Sequence, residues 1–216
     1  MAKKTFDNGL FITFEGPEGA GKTTQIRLLE ERLKEQEYDV LTTREPGGTQ
    51  LGEKLRTMLM EFQDEDITAE AELMMFSASR IQHVKRVILP FLKRGGVVLC
   101  DRFVDSTVAY QGYARRLDMD VILTLNDFAV CGRYPDLTIV LDLDVEVGLA
   151  RTRERAHGAV VNDRIEAESR AFHSAVRNGF LDIARKEPGR VKVFNADRPV
   201  ELVQADVWWE VTHALG

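Results

Sequence analysis

One stretch, Gly16-Pro17-Glu18-Gly19-Ala20-Gly21-Lys22-Thr23, constrains this chain more than any other. It fits the pattern G-x-x-x-x-G-K-[ST], which composition alone produces in on the order of one chain in a hundred. Here it follows LFITFE (10–15), an apolar, β-branched run. After it, Ile26, Leu29 and Leu33 recur at helical spacing while Arg27, Glu30, Glu31 and Lys34 fill the other face. A strand, a glycine loop and a helix in that order make a phosphate-binding loop rather than a plain glycine turn. The glycines let backbone N–H groups converge on phosphate oxygens, and the helix N-terminus adds its dipole. Residues Gly16 to Thr24 are therefore expected to hold a nucleotide, with Lys22 at its β- and γ-phosphates and Thr23 in a Mg²⁺ shell.

Further apolar runs recur at 38–43, 97–101, 137–143 and 191–195. Helical spacing fills 68–93, where Pro90 is expected to bend or end the helix, and also 145–156, 165–187 and 200–214. Strands alternating with helices predict an α/β P-loop domain, doubly wound, with a five-stranded parallel sheet and helices on both faces. Ligands in such a sheet lie over the carboxyl ends of the strands. The 216 residues suit one domain, and no linker marks a second. A net charge of −6 argues against broad nucleic-acid binding, and no apolar run approaches a membrane span. MAKKTFDNG does not resemble a signal peptide. Cys100 reads as a small core residue and no CxxC suggests zinc, so a cytoplasmic protein is expected.

A phosphate loop leaves open where the phosphoryl group goes, to water or to a second small molecule. DRFVDSTVAYQGYARR (101–116) begins at the end of a predicted strand. Asp101 is placed to hold Mg²⁺ or its water, or else to cap a helix. Arg102, Ser106, Thr107, Tyr110, Gln111, Arg115 and Arg116 follow within one short segment. Phe76 and Arg80, at i and i+4, share a helical face that could stack on a flat ring and donate to its carbonyls. The alternative for that pair is a core aromatic and a surface arginine. TTREPGGT (42–49), with Pro46, Gly47 and Gly48, permits close backbone approach or forms a simple turn. Arg151 and Arg155 share a face ahead of AHGAVVND (156–163), the candidate mobile loop, while Arg153 points elsewhere. These arginines suit a lid closing over phosphates, and equally a helix C-terminus. The histidines, His83, His157, His173 and His213, fall in none of these clusters.

Glu18 puts a carboxylate among phosphate-binding groups, where it could meet a substrate hydroxyl or a metal-bound water. Gly19 means that the loop carries no arginine for the transferring group.

FEGPEGAGKTT, TREPGGT, the Phe76/Arg80 helix, DRFVDSTVAYQG and DRIEAES (163–169) occur in the order and approximate spacing of bacterial thymidylate kinases, which the chain resembles from residue 10 to about 200. The resemblance implies transfer of the γ-phosphoryl group of Mg-ATP to dTMP, giving dTDP and ADP on the way to dTTP. It puts Lys22 and Arg102 on the transferring group, and Arg102 also on the dTMP phosphate. It places Phe76 against thymine and Arg80, Thr107 and Gln111 at the base, with Pro46 and Ser106 in the same substrate site. Tyr110 would crowd the 2′ position, and Glu18 would take the 3′-hydroxyl or a magnesium-bound water. Members without a loop arginine carry it in the lid, here a segment of about 151–166. Arg155 would then be catalytic and Arg151 would bind ATP. The insert AHGAVVN departs from the shorter lid of that class. A homodimer is also implied. Against this stand another nucleotide kinase and a P-loop switch, although the chain has no N-K-x-D guanine motif.

Overall fold

The computed structural model describes residues 3–62, 65–155 and 164–214. The strands are β1 (Leu10–Glu15), β2 (Val40–Arg44), β3 (Val97–Asp101), β4 (Leu137–Asp142) and β5 (Val191–Asn195). They form one sheet in the order β2-β3-β1-β4-β5, and every pairing is parallel. The helices are α1 (Lys22–Glu35), α2 (Gln50–Glu61), α3 (Ala69–His83), α4 (Leu89–Leu92), α5 (Val104–Thr107), α6 (Met119–Val130), α7 (Val145–Arg155), α8 (Arg170–Lys186) and α9 (Val200–Ala214).

The sheet is covered on both faces, as parallel sheets are, and strand alternation sorts the core into two parts. Leu10, Ile12 and Phe14 of β1, Val97 and Leu99 of β3, and Leu137, Ile139 and Leu141 of β4 join Ile26, Leu29 and Leu33 of α1 and Val203, Val207 and Val211 of α9. Phe11, Val98 and Cys100 point the other way, to Val84, Ile88 and Leu92. Further along that side Val140 packs with Phe172, Val176 and Phe180 of α8. Each such side chain, fully buried, contributes roughly 1.5–3 kcal/mol.

Several boundaries differ from the sequence expectation. The stretch from 69 runs on to Leu92, but through a π-helical turn at Val84–Ile88 just ahead of Pro90. Proline cannot donate to the ladder, and a widened turn absorbs the mismatch. Helix α8 begins at Arg170 rather than 165, because the Ser169 side chain accepts from Phe172 N and caps it. Helices α2 and α6 were not anticipated. Each has its own cap: Thr49 accepts from Gly52 N, and Asp118 from the amides of Asp120 and Val121. The expected lid loop 156–163 lies outside the described residues.

Candidate active site

The loop after β1 and the segment after β3 meet over the carboxyl ends of the central strands. They close a cleft of about 320 Å³ with α3, the β2–α2 turn and Ile165 and Glu166. Gly21 at φ 87° starts α1 without a side-chain cap, so the first amides of that helix stay open to the cleft. Lys22 Nζ donates to the carbonyls of Gly16 (3.1 Å) and Pro17 (3.0 Å), curling over the loop it serves. Thr23 Oγ1 donates to Asp101 Oδ2 at 3.2 Å. A hydroxyl and one carboxylate suit a Mg²⁺ that keeps waters and shares phosphate oxygens. Among the described residues no group of three or more His, Cys, Asp or Glu could hold a metal.

Gly19 is fixed by packing. A Cβ there would lie 2.3 Å from the carbonyl oxygen of Gly148 in α7. The position expected to lack an arginine thus has no room for any side chain.

Arg102 sits at φ 67°, its amide bonded to Phe14 O and its Nη1 to Gly16 O (3.2 Å) and Ser106 Oγ (3.3 Å). Its Nη2 pairs with Glu18, which also accepts from Tyr110 Oη at 2.9 Å. Burial would push the Glu18 carboxyl up, but Arg102 and Lys22 beside it hold it down at about 2. The loop carboxylate is therefore ionised. Behind it Glu15, fully buried, accepts from Phe103 N (2.7 Å), Ser106 N (3.3 Å) and Ser106 Oγ (2.5 Å), fixing the turn that carries Arg102. Burial, then the nearby Asp105, push Glu15 up to about 8. Burial likewise pushes the Tyr110 hydroxyl well up, so it stays a donor.

On α3, Phe76 lines the cleft half-buried, and Arg80 lines it with a 2% exposed side chain rather than standing at the surface. Arg80 Nε donates to Glu45 (2.7 Å), Nη1 to Thr107 Oγ1 (2.9 Å) and Asn126 Oδ1 (2.8 Å), and Nη2 to Phe103 O (2.9 Å). Such anchoring fixes where any remaining N–H can point. Gln111 belongs to a π-helical run, Val108–Ala114, and donates through Nε2 to Glu72 at 2.8 Å. Pro46, Ser106 and Thr107 also line the cleft.

One histidine corrects the sequence expectation. His83 is buried and reaches Glu45 Oε1 (3.0 Å) and Thr43 Oγ1 (2.7 Å), so it supports the same turn as Arg80. His173 is buried on α8 with its ring edge-on to Phe172, as a packing residue. His213 lies exposed on α9 beside Trp209, and His157 lies outside the described residues. Of the α7 arginines, Arg151 donates to Asp197 Oδ1 (3.1 Å) and Ala196 O (3.4 Å) after β5, while Arg153 is exposed. Arg155 ends the helix, and its side chain lies outside the described residues. Asp163 does too, whereas Glu166 lines the cleft. Sequence reasoning missed the carboxylates behind the site: Glu15, Glu45 and Glu72. Only their places gave a signal, at a strand end, inside TREPGGT and one turn ahead of Phe76.

The arrangement can seat a polyphosphate on one side and a small anion bearing a planar ring on the other, with Arg102 between. Comparison with known proteins places the chain in one family. The family model described as thymidylate kinase matches residues 14–207. A thymidylate kinase of Pseudomonas putida (strain GB-1) is 50% identical over 200 residues, covering 93% of each chain. One from Exiguobacterium sp. is 44% identical over 200 residues, 93% of this chain and 92% of that one. The crystal structure of thymidylate kinase from Ehrlichia chaffeensis superposes with a TM-score of 0.75 at 39% identity, over 94% of this chain and 99% of that chain.

Proposed function

The chain belongs to the thymidylate kinase family, and we propose that it transfers the γ-phosphoryl group of ATP to dTMP, giving ADP and dTDP. The observation that carries this reading is the pairing of one phosphate loop with a second, arginine-centred site in the same cleft. Water as acceptor would leave the Phe76/Arg80 face without a ligand.

Phosphoryl transfer asks the protein for positioning and charge stabilisation rather than covalent chemistry. Residues Gly16 to Thr24 hold the triphosphate, and Lys22 leaves its loop carbonyls for the β- and γ-oxygens. Thr23 and Asp101 would hold Mg²⁺, which when bound neutralises charge on those oxygens. Arg102 releases Glu18 to meet the dTMP phosphate and the transferring group. Glu18, ionised, then accepts from the 3′-hydroxyl of the sugar, or would accept from a water that the Mg²⁺ carries when bound. Phe76 stacks on the base, and Arg80, Thr107 and Gln111 bind its polar edge, with Pro46 and Ser106 around the nucleotide. Tyr110, tied to Glu18, fills the space a 2′-hydroxyl would need. Arg151 contacts ATP, and Arg155 delivers the lid charge that Gly19 cannot.

We further infer a single kinase domain over 1–216 with its lid at about 151–166, working in the cytoplasm. Among the described residues no helix is long and apolar enough to cross a membrane. A homodimer is also proposed: Leu51 and Met58 of α2, Met74 of α3, and Val121 and Phe128 of α6 are exposed apolar side chains on helices that pack side by side. Phe128, at 72% exposure, is the strongest mark of a covered face.

The test is ADP formation from Mg-ATP with each nucleoside monophosphate in turn and with none. Turnover with dTMP far above the rest is expected. Equal turnover without acceptor would overturn the reading.

A further inference from the structure

We propose that Glu72, which the reaction itself does not use, is a positioning residue that sets base selectivity by fixing the orientation of the Gln111 amide. The inference rests on the dTMP reading above, which puts Gln111 at the base.

Glu72 lies on α3 one turn before Phe76 and two before Arg80, and it is 1% exposed. Its carboxylate receives Gln111 Nε2 (2.8 Å), Arg115 through Nε and Nη2 (3.2 Å each) and Arg164 Nη2. Every partner donates. Burial would raise the carboxyl, but the bonds from Arg115, Arg164 and Gln111 prevail and lower it, so it is ionised and can only accept. A side-chain amide facing an obligate acceptor has one stable orientation. Gln111 must turn its NH₂ to Glu72, and the polar atom it leaves for the cleft is the oxygen. The guanidinium of Arg80, on the same helix face, carries donors only.

The cleft therefore offers a donor edge beside an acceptor. A pyrimidine with a ring N–H next to a carbonyl, as in thymine or uracil, matches both. Cytosine presents a bare ring nitrogen to the Gln111 oxygen and an amine to Arg80, so it fails at both points. Glu72 never touches the base, yet it decides which way the reading amide faces. Mispairing buried polar groups costs more than the bond itself contributes, which makes such an arrangement selective.

In Glu72→Gln the two arginines, donors only, hold the new amide oxygen, and its NH₂ turns to Gln111. The Gln111 oxygen must then accept, and its NH₂ swings toward the base. The experiment measures kcat/KM for dTMP and for dCMP in the wild type and in Glu72→Gln. The ratio is expected to fall by about 10-fold or more. A merely structural role would lower both values together and leave the ratio unchanged, and that result would overturn the proposal. Glu72→Asp keeps the charge beside Arg115 and Arg164 but draws the carboxylate back by one methylene, so that it no longer fixes the Gln111 amide, and it covers the case in which Glu72→Gln fails to fold. The same fall in the ratio is expected, and a wild-type ratio in either folded variant contradicts the inference. If wild-type protein does not prefer dTMP at all, the failure lies with the proposed function instead.

Discussion

Gly19 and Gly148 meet backbone to backbone: a Cβ on Gly19 would lie 2.3 Å from Gly148 O, and a Cβ on Gly148 would lie 2.4 Å from Glu18 O. The phosphate loop and α7 are therefore in register at a contact only two glycines allow. Gly148→Ala forces the two elements apart with no change of charge. It should destabilise the fold by about 1–3 kcal/mol and lower kcat/KM for ATP more than for dTMP. Melting curves and initial rates check both parts. Equal loss for the two substrates would remove the link between this contact and the ATP side.

Since Gly19 can carry no side chain, the proposed reaction assigns the phosphoryl-transfer arginine to Arg155. Arg155→Ala should lower kcat by roughly 10³-fold, as loss of a phosphoryl-transfer arginine does, with little change in the KM for dTMP. Rapid-quench measurement of the chemical step would show it. A near-native rate would move the role to Arg151 or Arg153.

Tyr110 is held to Glu18 at 2.9 Å and wedged among Phe172 and Phe180. These contacts hold the ring in place, and the proposed dTMP site sets the 2′ position against it. Tyr110→Phe should alter dTMP use modestly, whereas Tyr110→Ala should raise the use of ribonucleotides relative to dTMP. An unchanged deoxy preference in Tyr110→Ala would show that the ring is not the gate.

Glu18 and Glu15 give stability pH dependences of opposite signs. Glu18, held at about 2 against an ordinary 4.5, favours the fold fully above pH 4.5 and loses that contribution as pH falls toward 2. Glu15, raised to about 8, keeps its proton in the fold when the unfolded chain has lost it. Its contribution therefore declines as pH rises from about 4.5 to 8. Thermal melts across this range should show a flatter slope between pH 5 and 8 for Glu15→Gln than for wild type. Parallel slopes would mean that Glu15 titrates normally.

Much of this fold was legible because its signals are local. LFITFE is buried along its whole length, so it reads as an unbroken apolar run, and the glycine pattern after it allows little else. Helices α2 and α6 carried capping signals at Thr49 and Asp118, yet both follow segments whose polar residues suggested ligand loops. The carboxylates behind the site were illegible for another reason. Glu45 finds Arg80 35 residues away, and Glu72 finds Gln111 39 away. No periodicity encodes such pairs; only the folded sheet brings them together. His83 illustrates the same limit, since its bonds to Glu45 and Thr43 exist only once α3 packs beside β2.

The central claim is that the phosphoryl group passes to dTMP and not to water. The most direct test supplies γ-labelled ATP with dTMP and separates the labelled products. Label appearing in dTDP, in proportion to the ADP formed, is the predicted result. Label appearing in inorganic phosphate at the same rate with or without dTMP would contradict the account.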